Sequence, residues 1–198
     1  MDGPEDSDED LMLAYGAGEA GAFDKLYARH KGGVYRYILR QCRNAGIADE
    51  LFQDVWMNAI RVRASYAPTA KFTTWIYTLA HNRLVDHWRA SGHMKVASID
   101  DDDENGEARD IVESIPGAAN DEPETRVLSG ELGAQLKDAL AALPDEQRDA
   151  FLLQYEGGLS LAEIAELTGV GLETVKSRLR YATAKLRGAL GQVRQAWK

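Results

Sequence analysis

Residues 159–187, LSLAEIAELTGVGLETVKSRLRYATAKLR, carry the signature of two helices joined by a tight turn. Ser160, followed three residues later by Glu163, is a capping box: each side chain satisfies a backbone N–H of the other, and a short helix starts there. Ile164, Ala165 and Leu167 face that helix inward. Thr168-Gly169-Val170 is a tight turn, with Gly169 suited to the positive φ that follows a helix end. A second helix begins near Leu172. Its residues Val175, Leu179, Ala182 and Leu186 are spaced four, three and four and make a narrow buried stripe. The complementary face carries Thr174, Lys176, Ser177, Arg180 and Tyr181. Two helices at this spacing make a helix-turn-helix, whose second helix can enter the major groove. A helical hairpin that merely packs is the plainer alternative. Against it stand the hydroxyls and cations near the N-terminal end of the outward face, where base edges are met.

Upstream of the motif, Val127, Leu128, Leu132, Leu136 and Leu140 space a helix, and Leu143-Pro144-Asp145 starts another. Residues 127–198 therefore read as one small helical domain. Residues 92–126 differ: "IDDDDENGEARD" and "SIPGAANDEPET" lack periodicity and stack acids with Gly, Pro and Asn. Such a segment buries too little apolar surface to offset its ordering entropy and is expected to be a flexible tether. Residues 8–91 read as a second helical domain behind an acidic tail, 1–7. Phe23, Leu26, Tyr27, His30, Val34, Tyr35, Ile38 and Leu39 mark a long amphipathic helix that Gly32-Gly33 could bend. After a break at Asn44 to Gly46, Leu51, Phe52, Val55, Trp56, Ala59 and Ile60 mark the next. Tyr66 to Thr69 is a loop, and Phe72, Trp75, Ile76, Leu79, Leu84, Val85 and Trp88 mark a fourth, which ends at Ser91-Gly92. No strand pattern is present, so the expected fold is all-α, two small helical domains joined by an acidic linker.

The net charge of -9 would argue against nucleic acid if taken as one number, but its distribution does not. Residues 1–10 carry -6 and residues 99–124 carry -10, which leaves +7 on the rest. The stretch 172–198 alone carries +6. A basic helix is the electrostatic footprint of phosphate contact, and equally of a solvated face. The acidic N-terminus is neither a secretory nor a transit signal, and the longest apolar runs fall short of the ~20 residues a membrane span needs. Cys42 is the lone cysteine, which excludes an internal disulfide and a cysteine-rich zinc site. The expectation is a cytoplasmic protein without membrane insertion and without cofactor or metal.

These motifs resemble the sigma factors of the extracytoplasmic-function (ECF) group. "LPDEQRDAFLLQYEGGLSLAEIAELTGVGLETVKSRLRYATAKLR", residues 143–187, is similar to sigma region 4, and Thr174-Val175-Lys176-Ser177-Arg178-Leu179 is particularly typical. "FDKLYARHKGGVYRYILR", "IADELFQDVWMNAIRVRASY" and "FTTWIYTLAHNRLVDHWR" resemble regions 2.1, 2.2 and 2.3 to 2.4, so the likeness spans about residues 10–90 as well. The resemblance implies a factor that binds core RNA polymerase (β′ and β subunits) and directs it to promoter DNA, itself held by an anti-sigma factor. It implies that Thr174, Lys176, Ser177, Arg180 and Tyr181 read the −35 element, with Arg178 on a phosphate. Many relatives have Arg at the place of Tyr181. It implies that the loop Tyr66 to Phe72 and the helix after it capture the −10 element as a single strand, with Lys71, Phe72, Asn82 and Arg83 as contacts. Lastly it implies that Asp49, Glu50, Gln53 and Asp54 dock on β′, with Trp56 at the border. The residues alone leave alternatives open. Asp49 and Glu50 also suit a helix N-terminus through its dipole. Phe72, Trp75 and Trp88 also have core spacing. His81 and His87 fit phosphate contact or a solvated face.

Two other functions compete with this reading. A helix-turn-helix regulator acting without polymerase would bind duplex DNA unaided, usually as a dimer. A metal-dependent hydrolase built on His81, Asp86 and His87 is disfavoured: the histidines are six residues apart, on different helix faces, with no H-E-x-x-H or carboxylate pair. No enzymatic activity is expected.

Overall fold

The computed structural model describes residues 6–92 and 133–196, with side chains to residue 190. Within those residues every regular element is helical. The acidic linker, and the leucines and valine of 127–132, lie outside the described residues.

The first unit starts with α1, Asp8–Gly16, capped by Ser7, whose hydroxyl oxygen accepts from the Asp10 N–H. The hydroxyl in turn donates to the Asp10 carboxylate, which closes the box by a different bond from the usual one to backbone. Helix α2, Ala20–Cys42, runs unbroken through Gly32 and Gly33. It ends at Arg43, held in the left-handed region at φ 55. Asn44 then accepts from the Ile47 N–H and starts α3, Ala45–Arg61. A short 3-10 turn, Arg63–Ser65, and a loop lead to α4, Phe72–Ala90. Leu26, Val34, Tyr37 and Ile38 of α2 meet Leu51 and Val55 of α3 and Ile76, Ala80 and Leu84 of α4 in one core, and all of these are nearly or fully buried.

The second unit comprises α5 (residues 133–141), α6 (Asp145–Tyr155), α7 (Leu161–Thr168) and α8 (Leu172–Ala196). Ser160 and Glu163 form both bonds of the capping box, and Gly169 ends α7 at φ 70. The stripe Val175, Leu179, Ala182 and Leu186 is buried. It packs with Leu140, Leu143, Leu152, Leu153 and Ile164.

The two units touch directly. Asp149 of α6 accepts from the Tyr37 hydroxyl at 2.8 Å and from the Gln41 amide at 2.6 Å, and lies 3.3 Å from His81 Nδ1. Arg148 Nε donates to Gln41 Oε1. Glu156 takes Arg36 and Arg40 of α2 as ion-pair partners. Tyr77 of α4 reaches between Gly33 and Gly157 to donate to the Glu156 carbonyl, and a Cβ at either glycine would fall within about 3 Å of its ring or hydroxyl. Gly32-Gly33, expected as a bend, is thus a close-approach site in a continuous helix.

Candidate nucleic-acid interface

Helix α8 presents its outward face without obstruction. Thr174, Lys176 and Tyr181 are exposed, and Ser177, Arg178 and Arg180 are half-buried. At ~100° per residue, Ser177 and Tyr181 centre that face, Lys176 and Arg180 flank it on one side, and Thr174 and Arg178 on the other. Lys176 pairs with Glu173 at 2.7 Å across an exposed helical turn. The Arg180 guanidinium lies 5.1 Å from the Tyr181 ring centre, a cation–π contact that pre-orients both side chains. The first turn of α8 thus offers hydroxyls and cations together, the set able to meet phosphates and base edges.

The second candidate surface is α4 and the loop before it. Lys71 and Asn82 are exposed, and Trp75 and Thr78 between them complete a line spaced four, three and four. Trp75 and Thr78 were not singled out as contacts from the sequence, because Trp75 also fits the core spacing. Phe72 lies elsewhere: 1 % exposed, it packs on Tyr66, Trp75 and His30. It supports the loop from beneath and offers no ring to a base. Tyr66 is buried beside it with its hydroxyl unpartnered among the described residues. Burial, then the nearby Glu9 and Asp8 charges, push its hydroxyl up to about 12.

The N-terminal acids are part of this surface. Lys71, at the cap position of α4, makes no side-chain cap, and the Glu9 carboxylate fills that role by accepting from the Phe72 N–H at 2.6 Å. Asp8 holds Arg29 and His30, and Asp6 pairs with Lys25. The acidic run at residues 1–10 is thus no mere loose segment, since Asp6, Asp8 and Glu9 each serve a donor of the folded unit. Nothing in the local pattern names those partners, which are 19 to 63 residues away.

On α3, Asp49, Glu50, Gln53 and Asp54 are all exposed along one side, with Met57 (57 % exposed) beyond them. The first turn of α3 holds no acid, so the dipole does not account for Asp49 and Glu50. Asp49 accepts from the Tyr35 hydroxyl and raises its pKa by that bond. Asp54 pairs with Arg83 at 2.7 Å, so a candidate polymerase contact and a candidate DNA contact meet at one ion pair. Trp56, expected at the border, is 4 % exposed and belongs to an aromatic cluster with Phe23, Tyr27 and Phe52. His81 also departs from expectation. It sits neither on a phosphate-facing nor on a solvated surface but 9 % exposed against Tyr37 and Asp149. Among the described residues no cluster of His, Cys, Asp and Glu could hold a metal, and no helix is long and apolar enough to cross a membrane.

Comparison with known proteins matches both units. Residues 26–93 match the family Sigma-70 region 2, and residues 133–186 match Sigma-70, region 4. The chain is 32% identical over 192 residues to the ECF RNA polymerase sigma factor SigK of Mycobacterium tuberculosis, covering 93% of this chain and 94% of that one. It is 31% identical to SigK of Mycobacterium ulcerans, over 96% of this chain and 98% of that one. Among solved structures it resembles CnrH in complex with the cytosolic domain of CnrY, at 20% identity and TM-score 0.62, over 94% of this chain and 99% of that one. It also resembles the sigma factor RpoE in complex with the anti-sigma factor NepR from Bartonella quintana, at 20% identity and TM-score 0.59, over 85% and 96%. At such identities the two structures speak for the fold.

Proposed function

The chain belongs to the ECF sigma factors of the sigma-70 family, alternative sigma factors that bind core RNA polymerase and direct it to promoters, and from that membership we propose how its two units divide the work. The observation that carries the reading is the pairing, in one chain, of an open helix-turn-helix face with a region 2 unit that presents both an acidic helix side and a polar line on α4.

Region 4 reads the −35 element as duplex. Arg180 and Lys176 supply charge, Thr174 and Ser177 supply hydroxyls, and the Tyr181 ring stiffens Arg180. Region 2 captures the −10 element as a single strand. Lys71 meets phosphate, Asn82 offers both donor and acceptor to a base edge, and the half-buried Trp75 supplies a stacking surface. Stacking contributes roughly 1–3 kcal/mol per base, enough to offset an unpairing cost of a few kcal/mol per base. Melting is then driven by binding and not by bond chemistry. The acidic side of α3, with Met57 as an apolar anchor at its end, docks on β′. The same membership makes the cytoplasm the place of action. An anti-sigma factor is the expected regulator, as the solved RpoE structure holds one.

The docking surface is tested by reversing Asp49 and Glu50 to Lys and measuring affinity for core polymerase. Affinity is expected to fall at least tenfold with the helical circular dichroism unchanged. Unaltered core binding would remove α3 as the docking side.

A further inference from the structure

Helix α8 carries one acid among its cations. Glu173 is the sole Asp or Glu of residues 172–198, and it stands in the first turn of the helix, where base edges are met. Its side chain is 85% exposed, and its carboxylate pairs with Lys176 Nζ at 2.7 Å. At ~100° per residue it lies between Lys176 and Ser177 on the outward side, away from the buried stripe. Ser177 and Arg180 follow it one and two turns on.

Stability does not account for this placement. An exposed ion pair adds little to a fold. The helix dipole favours an acid in the first turn but is indifferent to the side of the helix that carries it. On the side that faces DNA a carboxylate is repelled by the phosphates. It therefore weakens binding to every sequence unless a base donor meets it.

The major groove offers such donors at two places, the amino groups of cytosine (N4) and of adenine (N6). Their surroundings differ. Adenine N6 has an acceptor on each side, its own N7 and thymine O4, and both repel a carboxylate. Cytosine N4 has guanine O6 on one side and a C–H on the other. O6 and N4 are hydrogen-bonded to each other within the base pair, so they lie about 2.9 Å apart. The ion pair presents its donor and acceptor at a matching 2.7 Å. While holding Glu173, Lys176 keeps protons free for O6 and N7, and the carboxylate keeps lone pairs free for N4.

We propose that Glu173 is a specificity-determining residue and that the Glu173–Lys176 pair reads one G·C base pair of the −35 element as a unit, with the ammonium on guanine O6 and N7 and the carboxylate on cytosine N4. This rests on the reading of α8 as the −35 helix given above. Lys176 alone accepts guanine on either strand. Glu173 fixes the orientation of the base pair, because in C·G the donor and the acceptors exchange sides.

The test starts from a genomic promoter that the factor transcribes with core polymerase, randomises its −35 element, and sequences the duplex fragments that the complete holoenzyme retains. With the parent chain, one position should favour G·C over each of the other three pairs by at least about fivefold. Glu173→Ala should reduce that preference to within about twofold, with the helical circular dichroism unchanged. Glu173→Gln should move the preference at the same position to A·T, since an amide donates to adenine N7 and accepts from N6. An unaltered G·C preference in both variants overturns the proposal. So does a loss of affinity spread evenly over all sequences, which reduces Glu173 to a helix-end charge. Should Glu173→Ala lose its helical signal, Glu173→Gln, which keeps the shape of the side chain, decides alone. The parent selection judges the −35 reading separately. No base preference at any randomised position refutes that reading and the proposal together, whereas preferences that neither Glu173 variant alters refute the proposal alone.

Discussion

Replacing Glu9 with alanine removes the acceptor of the Phe72 N–H, the first backbone donor of α4. No side chain at the cap position replaces it. Loss of an N-cap costs about 0.5–2 kcal/mol, typically ~1. A carboxylate beside a helix N-terminus contributes a further 0.3–1 kcal/mol or so through the dipole. The sum is about 1–2 kcal/mol. In a unit of this size, each kcal/mol lowers the melting temperature by roughly 4–8 °C. Glu9→Gln keeps the acceptor and loses the charge, so it should recover about half of the loss. The functional consequence follows from what the first turn of α4 carries. Fraying there displaces Lys71 and loosens Trp75, so permanganate reactivity of the opened −10 strand should fall while affinity for core polymerase is unchanged. The assays are thermal denaturation of the three proteins and permanganate footprinting with core enzyme. Glu9→Ala melting with the native chain, or Glu9→Gln matching Glu9→Ala, would refute the capping argument.

Two further predictions concern region 4. Arg180→Ala should cost about 1–3 kcal/mol in −35 duplex binding and relax base choice at one position; a uniform loss over all sequences would instead make Arg180 a phosphate contact. The Glu163 carboxyl is held below its ordinary range chiefly by its bonds to Ser160 and Thr74. Its depressed folded-state pKa means the stabilisation is present above the unfolded value, near 4.5, and is lost as pH falls through the folded value. Stability measured by thermal denaturation should therefore decline as pH falls through the folded-state value, and Glu163→Gln should flatten that decline; an unaltered profile in that variant would assign the acid loss to other carboxylates.

The elements that sequence made legible are those with local signatures. Ser160 with Glu163 and Gly169 bound α7, and the stripe from Val175 to Leu186 fixes which side of α8 faces out. The break expected at Asn44 to Gly46 is instead the capped start of α3, because the Asn44 side chain accepts from the Ile47 N–H. Three features were not legible, for physical reasons. The contact between the units joins Tyr37 and Gln41 to Asp149 across more than 100 residues, and a polar residue on a helix gives no sign that its partner is remote. His81 reads as a surface histidine because its partners Tyr37 and Asp149 lie 44 and 68 residues away along the chain. Phe72 and Trp56 carry aromatic rings at positions where the resemblance suggests contact, yet the rings are spent on the core.

Run-off transcription with purified core polymerase on genomic promoter fragments tests promoter direction by this chain itself. Specific starts are expected only with the factor added, and they should vanish when Arg180→Ala and Asn82→Ala are combined. Specific duplex binding by the chain alone, with no factor-dependent transcript on any bound fragment, would contradict it.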